Sequence, residues 1–372
     1  MKMTIERGAL LRSLTHAQSV VERRNTIPIL ANVLISAQNG AVELTATDMD
    51  LAVVERVAAE VSQAGSTTVS AHTLFDIVRK LEDGAQIEIG VGAEEGQLVL
   101  RCGRSNLKLA TLASEDFPVM SDDDMPHSFL VSAASLRSLI DRTRFAISTE
   151  ETRYYLNGIY LHAAEGEGGK VLRAVATDGH RLARMEVPLP DGADGMPGVI
   201  VPRKTVNELR KLIDEAEGDV AVTLSDTKIR FGVEDIVLTS KLIDGTFPDY
   251  DRVIPLGNDK VLEVNRKPFE RAVDLVSTIS TEKSRAIKLS LNDGLLVLSA
   301  TSPDAGSATE ELEVDYSDGE LEIGFNSRYL LDITQQILGD SAQFALADAA
   351  SPTLVRDSSD ASALYVLMPM RV

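Results

Sequence analysis

The chain of 372 residues has a single cysteine, Cys102, and no tryptophan. One cysteine excludes a disulfide framework and any metal site built from several thiolates, and it is typical of a reducing compartment. No run of about 18 uncharged apolar residues occurs, which excludes a conventional transmembrane helix. The N-terminal stretch interrupts its apolar residues with charge and so lacks the core of a signal peptide. We therefore expect a soluble cytoplasmic protein.

Basic residues are also scarce. The chain carries 37 Lys and Arg against 57 Asp and Glu, which gives a formal net charge of -20. Taken alone, this balance argues against a nucleic-acid partner, because the average field of the protein repels phosphates. A hydrophobic content of 44% nevertheless indicates a chain that is folded throughout.

Similar segments recur at an interval of about 125 to 130 residues, far longer than the period of a solenoid module. They are ELTATDMD (43–50), RAVATDGHR (173–181) and LVLSATSPD (296–304), with Thr47, Thr177 and Thr301 in equivalent positions. Period-two alternation broken by Asn-Gly and Asp-Gly pairs predicts antiparallel hairpins around them. We expect an α+β fold of three repeated domains, each with two amphipathic helices on antiparallel sheets. The predicted boundaries are 1–126, 127–255 and 256–372.

The basic residues that are present gather in and beside the predicted helices. Segregation of roughly half of them into a few helical segments is the electrostatic pattern of a nucleic-acid-binding surface. The alternative is that these are ordinary solvated helix faces. The residues are Arg7, Arg12, Arg23, Arg24, Arg79, Lys80, Arg137, Arg142, Arg144, Arg203, Lys204, Arg210, Lys211, Arg266, Lys267 and Arg271.

The stretch ATDGHRLA (176–183) places Asp178, His180 and Arg181 around one glycine. Such groups could serve a phosphate- or nucleotide-directed hydrolase, and that function is the alternative interpretation. The sequence offers little support for it, because EGEGGKV (165–171) lacks the glycine and hydroxyl positions of a phosphate loop and no Gly-x-Ser-x-Gly elbow occurs. The five histidines never fall at metal-ligand spacing. A turn that binds a partner is the favoured hypothesis.

Several strings in this order resemble the β subunit of bacterial DNA polymerase III, the DNA sliding clamp. They are RYYLNG (153–158), ATDGHRLA, VIVPRK (199–204), TSKLIDGTFPDY (239–250), EIGFN (322–326) and MPMRV (368–372). The resemblance implies clamp-type domains that form half of a six-domain ring, closed as a head-to-tail homodimer with helices lining the hole. It also implies a non-catalytic processivity factor with no cofactor and no metal.

The resemblance assigns partners and residues as well. It implies that the ring encircles double-stranded DNA without sequence preference and binds the polymerase III catalytic subunit, the clamp loader and other polymerases and repair proteins through short linear motifs. The implied DNA contacts are Arg24, Tyr154, Tyr155, Arg203 and Lys204. The implied peptide-binding pocket consists of Arg153, Leu156, Thr177, Gly179, His180, Arg181, Leu182, Pro248, Arg252, Val253, Asn326, Tyr329, Met368, Pro369, Met370 and Arg371. The implied dimer interface includes Leu107, Thr278 and Ile279.

Overall fold

The computed structural model describes residues 1–23, 26–91, 96–121, 124–214, 216–280 and 285–372. Within these ranges the chain is α+β, and every pair of neighbouring strands is antiparallel. The helices are α1 (Arg7–Val20), α2 (Ala71–Val78), α3 (Ala133–Asp141), α4 (Arg203–Leu212), α5 (Arg266–Ser277) and α6 (Ser327–Thr334).

The chain divides into two compact units. The first contains Met1–Ala134, Pro190–Ala193 and Lys204–Leu242, and its strands form one sheet of 13 strands. These strands are β1 (Lys2–Glu6), β2 (Asn32–Gln38), β3 (Ala41–Thr47), β4 (Leu51–Ala58), β5 (Glu60–Gln63), β6 (Gly65–Ser70), β7 (Gln86–Val91), β8 (Gln97–Cys102), β9 (Ser105–Leu112), β10 (His127–Ser132), β15 (Asp219–Leu224), β16 (Lys228–Val233) and β17 (Ile236–Lys241).

The second unit contains Ser135–Leu189, Asp194–Arg203 and Ile243–Val372. An eight-stranded sheet is formed by β11 (Gly158–Gly166), β12 (Gly169–Thr177), β13 (Arg181–Pro188), β14 (Val199–Pro202), β18 (Lys260–Asn265), β23 (Ser341–Leu346), β24 (Thr353–Asp357) and β25 (Asp360–Leu367). A four-stranded sheet is formed by β19 (Ala286–Asn292), β20 (Leu295–Ser302), β21 (Gly306–Glu313) and β22 (Leu321–Asn326).

The helices pack on the sheets through one apolar stripe, as predicted from their periodicity. In the first unit, α1 begins where the Glu6 carboxylate accepts a hydrogen bond from the Ala9 amide at 2.8 Å, and it buries Leu10 and Leu14 against β3 and β4. In the second unit, α5 buries Phe269 and neighbouring apolar side chains against β19, β20 and β21. Each repeat carries two helices on antiparallel sheets.

Strand pairing runs through the predicted repeat boundaries. β17 of the second repeat pairs with β4 of the first, and β25 of the third pairs with β13 of the second. We call these two strand pairings the junctions between repeats. Each is followed by an equivalent backbone hydrogen bond: the Lys241 amide donates to the carbonyl of Asp50 at 2.8 Å, and the Met368 amide donates to the carbonyl of His180 at 3.0 Å. Because strands of consecutive repeats share sheets, the compact units do not follow the sequence repeats.

β9 and β21 are among the strands that keep a free side within the described residues. β9 pairs with β8 along its length but meets β6 only at Thr111 and Leu112. β21 pairs with β20 and ends the four-stranded sheet in the part of the chain that the structure describes. Unpaired backbone groups along a strand edge favour addition of another strand.

Candidate functional site

The ATDGHR turn joins β12 to β13 and holds itself rigid with its own side chains. The Thr177 hydroxyl donates to the carbonyl of Arg181 at 2.7 Å and accepts from the Gly179 amide at 3.1 Å. The Asp178 carboxylate accepts from the amides of His180 and Arg181 at 2.9 and 3.0 Å. These groups cap backbone donors, as Asp and Thr side chains commonly do in turns.

The first repeat makes the same turn. Thr47 bonds the carbonyl of Leu51 at 2.9 Å, and Asp48 accepts from the amides of Asp50 and Leu51 at 2.9 and 2.7 Å. Met49 has a φ of +81° where Gly179 has +86°. The Asp and Thr of ATDGHR are therefore structural features of the repeat, and this geometry gives Asp178 no role as an acid-base group.

The Arg181 guanidinium is committed within the chain. It is 8% exposed, and it bonds the Asp178 carboxylate at 3.2 Å, the Asp332 carboxylate at 2.5 Å and the carbonyl of Phe145 at 2.7 Å. Its carbon atom Cζ lies 4.3 Å from the centroid of the Tyr329 ring, a favourable cation–π distance. Arg181 therefore fixes the turn against α6.

A second arginine covers the turn from outside. Arg153 donates two hydrogen bonds to the Glu150 carboxylate, at 2.8 and 2.7 Å, and this pairing lowers the pKa of Glu150 below its usual range. A Cβ atom at Gly179 would lie 2.4 Å from Nη1 of Arg153. Glycine suits this position because it adopts the positive φ without strain and leaves room for the guanidinium.

An apolar cluster lies beside the turn. Leu156 and Leu182, both predicted pocket residues, are 4% and 3% exposed and pack with Phe247 and Tyr250. Pro248 follows Phe247 directly, and Arg252 and Val253 end the short 3-10 helix Tyr250–Val253. Both Pro248 and Val253 are exposed. Two exposed predicted pocket residues, Pro248 and Val253, therefore lie in the same short segment as the buried Phe247 and Tyr250 of the cluster.

The C-terminal segment runs past the same turn. Met368 bonds the carbonyl of His180, and the Met370 amide donates to the carbonyl of Gly324 at 2.8 Å. A Cβ atom at Gly324 would lie 2.6 Å from the Met370 carbonyl oxygen, so only glycine permits this crossing. Asn326 caps α6 by accepting from the Arg328 amide at 3.0 Å. Met368, Pro369 and Met370 remain half-buried beside these contacts.

All of the predicted pocket residues belong to the second compact unit. The His180 and Tyr329 rings lie 6.3 Å apart, and Arg371 is exposed at the end of the tail. Sequence reasoning missed Tyr250, Asp332 and Phe145, which hold the pocket residues from behind. Local patterns could not reveal them, because Asp332 and Phe145 lie far along the chain from Arg181, which they bond. The partners of the Tyr250 hydroxyl are equally distant in sequence.

The predicted DNA contacts differ in exposure. Tyr154 is 53% exposed, whereas Tyr155 is half-buried and meets it edge to face at 5.8 Å between ring centroids. Arg203 is exposed at the start of α4. Lys204 bonds the Asp48 carboxylate at 2.5 Å and the carbonyl of Val20 at 3.0 Å. Its charge is therefore compensated within the chain.

Two further outcomes concern the predicted basic helices. Arg24 lies outside the described residues. Arg142 is 7% exposed and pairs with Asp360 at 2.7 Å. Arg142 directly follows α3 and pairs with the first residue of β25, so it does not contribute to an exposed basic surface.

The predicted interface residues lie near the free strand edges. Leu107 is half-buried on β9, Thr278 is exposed just after α5, and Ile279 is half-buried beyond it. Sequence reasoning missed β21, which packs against α5. In the structure GSATEELE on β21 has the same alternation of exposed and half-buried residues as SNLKLATL on β9.

The repeated domains, with helices on antiparallel sheets, are those of a DNA clamp. Family models of the DNA polymerase III beta subunit match in succession: the N-terminal domain over residues 1–121, the central domain over 130–249 and the C-terminal domain over 251–371. The chain belongs to the DNA polymerase III beta subunit family, the DNA sliding clamps.

Curated relatives and solved structures agree. The beta sliding clamp of Caulobacter vibrioides is 53% identical over 372 residues, and that of Escherichia coli is 40% identical over 373, with full coverage of both chains in each case. A crystal structure of the C. crescentus clamp matches with a TM-score of 0.98 at 53% identity, covering 100% of this chain and 99% of that one. The Bartonella birtlesii clamp bound to griselimycin matches with a TM-score of 0.97 at 52% identity, with both chains fully covered.

The family membership decides between the two functional hypotheses. Sliding clamps are non-catalytic processivity factors, so the chain is not an enzyme, and the hydrolase alternative has no support among these relatives. In the ranges that the structure describes, no group of three His, Cys, Asp or Glu side chains could hold a metal ion. No helix there is long and apolar enough to cross a membrane.

Replacing Gly179 by alanine tests the rigidity of the turn. We expect Gly179→Ala to lower the free energy of unfolding by about 1–2 kcal/mol, because a left-handed backbone disfavours a Cβ atom. Chemical denaturation of the purified variant measures this. Gly168→Ala is the matched control, since its Cβ would meet nothing within 4 Å and its φ is ordinary. Equal stability of both variants would contradict the assignment.

Proposed function

We propose that two copies of this chain close a six-domain ring around duplex DNA in the cytoplasm, with domains 1–126, 127–255 and 256–372. The observation that carries the proposal is the repeated junction. One strand of the first repeat pairs with one of the second, and one of the second pairs with one of the third. Among the strands that keep a free side, β9 of the first repeat and β21 of the third stand in the places that correspond to these junction strands. Pairing these edges between two copies, twice, closes the ring without new geometry.

The two junctions predict the register of the third. Val53 faces Leu238 in the first junction, and Ala183 faces Tyr365 in the second. The alanines before Thr47, Thr177 and Thr301 are equivalent in the three repeats. Across their hairpins they pair with Val53, Ala183 and Ala308, in that order, so these three residues are equivalent as well. Leu107 is the third residue of β9 after the two-residue turn that precedes it. Leu238 is the third residue of β17 after a turn of the same length, so the two leucines are equivalent.

In the proposed seam, Leu107 of one copy therefore lies opposite Ala308 of the other. Lys108 follows on β9, and Glu310 and Glu311 lie on β21, so the two edges carry opposite charge. Opposite charges across neighbouring strands add modest stability. The helix end that bears Thr278 and Ile279 adjoins this seam, since α5 packs on β21.

The proposed DNA contacts are weak and blind to sequence. The residues proposed for them are Arg24, Tyr154, Tyr155, Arg203 and Lys204. The ammonium group of Lys204 also pairs with the Asp48 carboxylate. A ring linked topologically to DNA needs little affinity, and contacts to phosphates carry no sequence information. The net charge of -20 opposes adhesion of DNA to the rest of the surface.

The proposed peptide pocket receives short linear motifs of the polymerase III catalytic subunit, the clamp loader and repair proteins. Leu182, Pro248, Val253, Met368 and Met370 offer an adaptable apolar cleft for leucine or phenylalanine anchors, since methionine packs against varied shapes. The amide nitrogen of Asn326 and the guanidinium of Arg371 are the groups that could bond the peptide backbone. Arg181 acts indirectly by fixing the turn.

Retention on circular DNA tests the encirclement. We expect the protein, loaded by a clamp loader onto a nicked circular plasmid, to co-elute with the circle in gel filtration at moderate salt. Cutting the circle with a restriction enzyme should release it, because the link is topological rather than adhesive. A linear plasmid of equal length is the control. Retention that survives cutting would mean a binding protein that does not encircle DNA.

Engineered disulfides test the seam register. In a Cys102→Ser background, we expect Leu107→Cys combined with Ala308→Cys to give a covalent dimer on mild oxidation. Directly opposed residues of antiparallel strands have Cα atoms roughly 4.5–5.5 Å apart, which suits a disulfide. The control pair is Lys108→Cys with Ala308→Cys, whose side chains leave opposite faces of the sheet. Equal cross-linking of both pairs, measured on a non-reducing gel, would refute the register.

A further inference from the structure

Beneath the exposed wall of the proposed pocket lies a buried polar cluster centred on Tyr250. Tyr250 is 5% exposed and begins the 3-10 helix that ends at Val253. Its hydroxyl lies 2.8 Å from Nη1 of Arg173 and 3.0 Å from Nε2 of His162. Two strands, β11 and β12, thus hold one hydroxyl of the segment that carries the wall.

The direction of each hydrogen bond follows from the chemistry. Nδ1 of His162 lies 3.0 Å from the carbonyl of Ala163, which can only accept, so Nδ1 carries the proton. Burial lowers the pKa of His162 and keeps the ring neutral, so Nε2 is an acceptor. Tyr250 therefore donates to His162 and accepts from Arg173, and its hydroxyl is satisfied on both sides.

The anchors are themselves fixed. Arg173, 7% exposed, bonds the Glu186 carboxylate at 2.7 Å and the carbonyl of Glu165 at 3.1 Å. The Tyr160 ring stacks between His162, at 4.5 Å, and Phe247, at 4.9 Å with an interplanar angle of 8°. The stacking of Phe247 on Tyr160 thus holds one end of the segment 247–253 against β11. The hydrogen bonds of the Tyr250 hydroxyl hold its middle.

Two exposed residues of this segment, Pro248 and Val253, form what we call the wall of the proposed pocket. Pro248 directly follows the stacked Phe247, and Val253, 43% exposed, closes the 3-10 helix that Tyr250 opens. Arg252 pairs with Asp249 at 2.7 Å, and both side chains are exposed. The position of Pro248 and Val253 therefore depends on the two buried aromatic rings and on one hydroxyl.

We propose that Tyr250 is a positioning residue of the peptide pocket: its hydroxyl, held between Arg173 and His162, sets the wall formed by Pro248 and Val253. The inference rests on the proposed peptide-binding function and adds a specific determinant of its affinity. Tyr250 itself does not touch the peptide. Its effect reaches the ligand through the wall, in the way that buried partners preorganise a binding site.

The test compares Tyr250→Phe with Tyr316→Phe. Tyr316 is 2% exposed and lies in the same compact unit but outside the predicted pocket residues. Its replacement removes the hydrogen bond from its hydroxyl to the carbonyl of Gly319 at 2.6 Å, whereas Tyr250→Phe removes two hydrogen bonds. The probe is a fluorescent synthetic peptide with a leucine and a phenylalanine anchor, titrated by anisotropy. We expect Tyr250→Phe to raise Kd about 3- to 10-fold and Tyr316→Phe to leave it unchanged.

Coupling to the wall separates positioning from general weakening of the fold. Val253→Ala removes one of the two side chains that Tyr250 positions, so adding Tyr250→Phe should raise Kd by a smaller factor than it does in the unmodified protein. Fully multiplicative effects, or an unchanged Kd for Tyr250→Phe alone, would overturn the inference. Melting temperatures of Tyr250→Phe and Tyr316→Phe should lie well above the temperature of the titration, so that the Kd refers to folded protein.

The same titrations separate this inference from the pocket itself. Met370→Ala and Val253→Ala remove predicted pocket contacts directly. If both variants raise the Kd of the peptide while Tyr250→Phe does not, the peptide pocket is supported and the positioning role of Tyr250 is refuted. If neither variant raises the Kd, the peptide binds elsewhere and both proposals fall.

Discussion

Antiparallel pairing between a strand of one repeat and a strand of the next is the interaction on which the rest of the structure depends. β4 with β17 and β13 with β25 use the same register, and each pairing ends in the same backbone bond, from Lys241 to Asp50 and from Met368 to His180. Backbone hydrogen bonds need no particular side chains. The repeats are therefore free to differ in the side chains that they bring together at each junction.

That freedom explains why equivalent places in the two junctions differ chemically. In the second junction the pairing brings Met368 beside the glycine-bearing turn at His180. In the first, Lys241 stands in the place of Met368, and its ammonium group pairs with the Asp50 carboxylate at 2.9 Å. The carboxylate of Asp48, the counterpart of Asp178, pairs with the ammonium group of Lys204. Charge pairs lie at one junction, and the half-buried Met368 and Met370 lie at the other.

Much of this could be predicted from local sequence patterns. The recurrence of Ala-Thr before a turn predicted three repeats, and period-two alternation predicted the hairpins. Partners distant in the chain could not be predicted. Nothing near Arg181 or Lys204 indicates Asp332 or Asp48, and Arg142 looks like an exposed helix residue until Asp360 lies beside it. The resemblance to sliding clamps gave pocket residues by position, whereas the Tyr250 cluster required the structure.

The most direct test of the account is small-angle X-ray scattering from the purified protein, with the mass taken from the forward intensity. If the junction seen twice in each chain recurs between copies, the mass is that of a dimer. The pair-distance profile is then that of a hollow disc. A compact monomer at micromolar concentration would contradict the account, because the edges of β9 and β21 would then not pair.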